Sequence, residues 1–109
     1  MGHDISGYNK AGEAIAYARF SMGNYNATIL YSLLDANDFN AGVSGSGNIS
    51  TFSIQQMEKA LNDYKQLYDN GNSLSESDFL MSDLKQILDF LQNCLEIANK
   101  EGSVKVFFG

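Results

Sequence analysis

Apolar side chains recur at Ile54, Met57, Leu61, Tyr64 and Tyr68, at spacings of three, four, three and four residues. That rhythm follows the 3.6-residue turn of an α-helix and lines one face with apolar groups. Ser53 followed by Gln56 is a capping-box pair that starts the helix, and Asp69-Asn70-Gly71 supplies its stop. A second stripe, Leu84, Ile87, Leu88, Leu91, Leu95 and Ala98, predicts a helix that begins near Ser77 or Ser82 and ends at Gly102. Each helix must bury its stripe against another layer, so the rest of the chain has to supply one.

The remaining segments supply strands and one more helix. Residues 3–9 read as a short strand, and Asn9-Lys10-Ala11-Gly12 as a turn. In 14–20 the alternation of Ile15, Tyr17 and Arg19 with alanines and Phe20 says strand, while the alanines favour helix. The short run between Gly12 and Gly23 decides for strand. Ile29, Leu30, Leu33 and Leu34 give an apolar face to a helix over about 27–39, capped by Asn24 or Asn26. Ser103 to Phe108 is a strand by its β-branched and aromatic content, with Val104, Val106 and Phe108 on one face and Lys105 and Phe107 on the other. The expected fold is α+β, in the order β-β-α-α-α-β. An N-terminal hairpin and the C-terminal strand form a small antiparallel sheet, with three helices packed on one face. A length of 109 residues makes this a single compact domain over 1–109. An open sheet edge invites a second chain, so a homo-oligomer is expected.

The net charge of -6 argues against a protein that tracks nucleic-acid backbones, and both halves of the chain are acidic. With one Cys (Cys94) and one His (His3), the chain holds no disulfide framework and no Cys/His zinc site, so no metal or cofactor is expected. No apolar run approaches the ~18 residues that span a bilayer, and residues 1–9 lack the apolar core of a signal peptide. Together with the lone Cys, this predicts a cytoplasmic protein without membrane association.

The candidate site is the stretch Gly42 to Thr51. Gly42, Gly45 and Gly47 allow close approach of backbone, and Ser44, Ser46, Asn48, Ser50 and Thr51 offer short polar contacts ahead of a capped helix. Main-chain N–H groups at such a place suit an anion. It is not an ATP-hydrolysing loop, because Asn48 and Ile49 stand where Lys and Ser/Thr are required. Nor is Asp35 to Ser46 a calcium loop, since Asn40 and Ser46 occupy the Gly and Glu positions. Arg19, the single guanidinium, is the available fork for a phosphate or carboxylate. Tyr8 can stack on a base. His3 is expected at the surface or the sheet rim, where it can touch a ligand; its neighbour Asp4 points to the opposite face. Cys94 reads as a small buried hydrophobe.

The opening Met1-Gly2-His3-Asp4-Ile5 and the closing Gly102-Ser103-Val104-Lys105-Val106-Phe107-Phe108-Gly109 resemble those of short, uncharacterised bacterial and phage proteins. The resemblance carries no catalytic motif. It implies an accessory role such as blocking host defence, by sequestering a nucleotide signal or by occupying a host protein. From these observations the first expectation is a non-catalytic binder of an anionic, nucleotide-like ligand through Gly45, Ser46, Gly47, Asn48, Ser50, Thr51, Arg19, His3 and Tyr8. The second is an acidic inhibitor or adaptor that uses Glu76, Asp78, Asp83, Asp89 and Glu96 against a basic host protein. Carboxylate-only enzyme chemistry ranks below both, because the acids fall on solvated helix faces.

Overall fold

The elements are β1 (Gly2–Tyr8), β2 (Ala14–Ser21), α1 (Tyr25–Leu33), β3 (Asn48–Ser53), α2 (Ile54–Asn70), α3 (Asp78–Glu101) and β4 (Ser103–Phe108). This computed structural model describes residues 2–21, 25–41, 44–70 and 78–109, with side chains placed for all of these except 21, 25–26, 67–70 and 78–84. The sheet is antiparallel throughout, in the order β2-β1-β4-β3. The α+β class and the antiparallel sheet built from hairpin and C-terminal strand are as the sequence reading has them. A fourth strand, β3, is added where that reading has a loop.

The chain's apolar pattern decides which face the helices cover. Ile5 on β1, Ala16, Ala18 and Phe20 on β2, Phe52 on β3, and Val104, Val106 and Phe108 on β4 are all buried. They join Leu30 and Tyr31 of α1, Met57, Ala60 and Tyr64 of α2, and Ile87, Phe90, Leu91, Cys94 and Ala98 of α3 in one core. Phe90 belongs to it although it lies outside the stripe read from the sequence. The other face carries Tyr17, Arg19, Thr51 and Lys105, all exposed, and among the described residues no helix covers it.

Local chemistry sets the boundaries. The capping box forms as its residues dictate: Ser53 N donates to Gln56 Oε1 at 2.8 Å, and Gln56 N donates to Ser53 Oγ at 3.2 Å. Gly102, at φ +89°, ends α3, and its amide donates to Ala98 O at 2.7 Å. α1 is shorter than the helix read from sequence. Asp35 takes a left-handed φ of 53°, its amide donates to Ser32 O at 3.0 Å, and Ala36 N donates to Tyr31 O at 2.8 Å. That pair of bonds is a Schellman stop, built on an aspartate rather than the usual glycine. A 3-10 turn, Asn37–Phe39, follows it. Ile15 also departs from the reading. The β1–β2 register slips between Gly7 and Tyr8, leaving Ile15 without a partner on β1. This bulge turns Ile15 toward the core rather than onto the face of Tyr17 and Arg19.

α3 lies close against β1 at Gly7. A Cβ there would sit 2.8 Å from Cys94 Sγ and 3.2 Å from the Ala16 Cβ. Gly7→Ala is therefore expected to destabilise the fold by about 1–3 kcal/mol through overpacking. Cys94→Ala in the same chain removes the nearest clash and should recover part of the loss, which urea denaturation of the two single variants and the double variant measures.

Candidate functional site

Gly45 has a purpose in the fold that excludes a guest at the same place. Its amide donates to Gly109 O at 2.9 Å, and a Cβ on it would lie 2.5 Å from the Phe108 carbonyl carbon. The close approach that glycine permits is thus to the end of β4. The next two amides are occupied as well: Ser46 N donates to Phe39 O at 2.8 Å, and Gly47 N donates to Phe108 O at 2.7 Å. Gly47 has φ +83° and, with Asn48, forms the two-residue side of a glycine bulge opposite Phe108. From Asn48 onward the backbone is strand, in which Asn48, Ser50 and Phe52 pair with Phe108, Val106 and Val104. The free amides expected between residues 45 and 51 are therefore largely ladder bonds. Gly42 lies outside the described residues.

The other candidates are dispersed. His3 is 2% exposed, on the helix side of β1, which corrects its expected place at the surface or the sheet rim. Its Nδ1 and the Tyr31 hydroxyl are hydrogen-bonded at 3.0 Å, and the two rings meet edge to face. Tyr31 stacks in turn on Phe108, which stacks on Phe39 and meets Phe52 edge-on. The imidazole docks α1 onto the sheet. Its neighbour Asp4 does point the other way, as expected. Arg19 is exposed on β2, with β1 and β4 between it and β3. Tyr8, Arg19 and Thr51 share the open sheet face. Ser50 lies on the helix side, half-buried, and the exposed Asn48 donates from Nδ2 to Ser46 Oγ at 3.0 Å. The structure does not gather the nine residues into one cradle.

What the fold does gather is a row of large side chains on the bare face. The register sets Tyr17 opposite Ser6, Ser6 opposite Phe107, and Phe107 opposite Ile49, one residue from each of the four strands. Tyr17 and Ile49 are 54% and 60% exposed, whereas Ser6 between the two rings is buried. The Tyr17 hydroxyl donates to Asp4 Oδ1 at 2.6 Å. That bond, with burial and the Asp4 charge adding to it, raises the pKa of the phenol. Arg19 Nε lies 3.6 Å from the same carboxylate oxygen. Asp4 thus fixes the ring of Tyr17 and neutralises Arg19. The sequence already placed Phe107 opposite in facing to Val106 and Phe108. It did not show that Phe107 falls in line with Tyr17 and Ile49, because that needs the strand order.

Beside this row the open face carries Asp4, paired with Arg19, and the exposed Lys105. Among the described residues the ion pairs are Arg19 with Asp4, Lys59 with Asp63 and Lys100 with Glu96. The chain has six more acidic than basic residues, and among the side chains described Asp35 and Asp38 are exposed. Of the acids singled out on α3, Asp89 and Glu96 are exposed, and Glu96 accepts from Lys100 Nζ at 3.2 Å. Glu76 lies outside the described residues. Among the described residues, no three of His, Cys, Asp and Glu are grouped so as to hold a metal ion, and no helix is long and apolar enough to cross a membrane. No protein-family model matches the chain, and no curated protein or solved structure matches it at a significant level.

Burial pushes the Cys94 thiol from its ordinary value near 9 up to about 12, and the Tyr31 phenol from 10 up to about 12. Cys94 is therefore a neutral core group and not a nucleophile at neutral pH. In both cases the folded state holds a proton that the unfolded chain gives up at lower pH. Their contribution to stability is complete below pH 9, falls as the unfolded thiol ionises, falls further above pH 10 with the phenol, and is lost by about pH 12. Urea midpoints measured from pH 8 upward should decline from about pH 9 in the parent chain. In the Cys94→Ala variant the decline should begin about one unit later.

Proposed function

We propose that the chain is a non-catalytic adaptor or inhibitor that docks a basic protein partner on the open face of its sheet. The observation that carries this reading is the row Tyr17–Ser6–Phe107–Ile49, with Tyr17 and Ile49 more than half exposed on the face that no helix covers. Rigid aromatic and aliphatic groups set side by side on a sheet are what the desolvated centre of a protein interface uses. Their position on paired strands fixes them in advance, which reduces the ordering cost of binding.

Charge supports a basic partner. The chain has a net charge of -6 and Asp35 and Asp38 are exposed, while on the docking face Asp4 is paired with Arg19 beside Lys105. Acidic groups outside a neutral contact raise the rate of encounter with a basic protein without having to be desolvated. The anionic-ligand alternative loses the amides of Gly45, Ser46 and Gly47, which already have main-chain acceptors, and its Arg19 is paired with Asp4. The resemblance to short bacterial and phage proteins fits a chain that occupies a host protein.

Affinity capture from bacterial lysate tests the proposal when three baits are run in parallel. The parent chain should retain a basic protein. A Tyr17→Ser/Phe107→Thr variant, verified as folded by circular dichroism, should retain at least tenfold less. An Asp89→Asn variant should retain as much as the parent. Equal capture by the first two baits would remove the docking face. A rise in melting temperature on adding nucleoside triphosphates or cyclic nucleotides would restore the small-ligand reading.

A further inference from the structure

The two edges of the sheet are treated differently by the fold. Along β2, the Gln86 side chain of α3 acts as a short surrogate strand: its Oε1 accepts from Arg19 N at 2.8 Å, and its Nε2 donates to Arg19 O at 3.0 Å. The Ile15 bulge and the charge of Arg19 add to this protection. β3, the other edge, reads Asn-Ile-Ser-Thr-Phe-Ser and carries no charge, no proline and an exposed Ile49.

The ladder identifies which groups β3 leaves open. Asp4 and Gly109 exchange both main-chain bonds, at 3.0 and 2.8 Å. By alternation, Lys105 and Phe107 turn their amides toward β1, and Val104, Val106 and Phe108 turn theirs toward β3. Their partners there are Phe52, Ser50 and Asn48, so the N–H and C=O of Ile49, Thr51 and Ser53 point outward. The Ser53 amide is held by Gln56 in the capping box. Upstream, Asn40 bridges to Gly45 and Phe39 O accepts from Ser46 N, so that part of the edge is covered. Four main-chain groups remain, the N–H and C=O of Ile49 and of Thr51, and among the described residues none has another partner.

We propose that this short edge pairs with the same edge of a second copy, antiparallel, about a two-fold axis through Ser50. Paired residues of an antiparallel ladder lie on the same face, so the axis must pass through a residue and not between two. An axis at Thr51 would set Ile49 against Ser53, whose amide is taken. With the axis at Ser50, Ile49 of one copy and Thr51 of the other form a hydrogen-bonded pair, twice. All four open groups of each copy are then satisfied. On the bare face Ile49 meets the partner's Thr51, a β-branched cross-strand pair. No like charges are opposed, since β3 has none, and this matters for two chains of net charge -6. Beyond Ser53 the chain turns into α2, so the partner strand leaves the sheet where the Phe39–Asn40 segment begins to cover its neighbour's edge. A longer foreign strand would run into that segment. The dimer is an eight-stranded sheet with both aromatic rows on one surface, and it stands independently of what that surface docks.

Sedimentation equilibrium across the micromolar range tests the pairing. The parent chain should show twice the chain mass. Ile49→Lys/Thr51→Lys opposes two like charges in each pair and should be monomeric. Ile49→Lys/Thr51→Glu opposes unlike charges in each pair and should be dimeric again. All these positions are solvent-exposed, and circular dichroism confirms folding in each variant. A monomeric parent overturns the proposal, and one that takes up an extended peptide along β3 reassigns the edge to peptides. A dimer that survives the double lysine variant places the contact elsewhere. Loss of dimer in the lysine–glutamate variant rejects the axis at Ser50.

Discussion

The pairing of β1 with β4 is the constraint on which the rest of this structure depends. It joins residues near the two ends of the sequence, with Ile5 against Phe108 and Gly7 against Val106. Every helix lies between them in the chain, so the ladder closes a loop of some hundred residues, with the entropy cost that such a separation carries. Its register determines both faces at once. Ile5, Val106 and Phe108 are turned toward the helices, while Ser6 and Phe107 are turned away from them. A slip of one residue would bury Lys105 and Phe107 and expose the valines. β3 in turn pairs with β4 alone, so its place in the sheet depends on β4.

The helices were legible because their signals are local. The capping box at Ser53 and Gln56, the stripes of α2 and α3, and Gly102 each act within a few residues, and each forms as its chemistry requires. β3 was not legible. Only Phe52 in it is a buried apolar residue, because β3 lies at an edge with its outer face in solvent. Of its five other residues four are polar and Ile49 is exposed, so in sequence the segment looks like loop. The early end of α1 was hidden for a related reason: Asp35 fills a left-handed position that glycine would have announced.

Glycine and histidine show how one residue type supports two readings that only packing can separate. Gly45 suggested room for a ligand, and the room is taken by Phe108 and Gly109 of the same chain. His3 suggested a polar contact at the rim, and the imidazole is instead buried against Tyr31 inside an aromatic cluster. In each case the missing information was the strand order, which decides what lies beside residue 3 or residue 45. Tyr8, Arg19 and Thr51 share the solvent face, but they lie on three different strands.

An antiparallel sheet covered on one side has to manage a bare face and two edges. This chain manages one edge closely, giving Arg19 a side-chain amide in place of a neighbouring strand. It also neutralises the face locally, through Asp4 against Arg19 and Tyr17. Among the described residues, no comparable device protects Tyr17 and Ile49 from water or covers the amides of Ile49 and Thr51. Exposed apolar rows and uncharged edges are aggregation hazards unless a partner covers them. The guarded edge at Arg19, the open edge at Ile49 and Thr51 and the row of aromatic and aliphatic groups beside it are the features on which the proposed assembly rests.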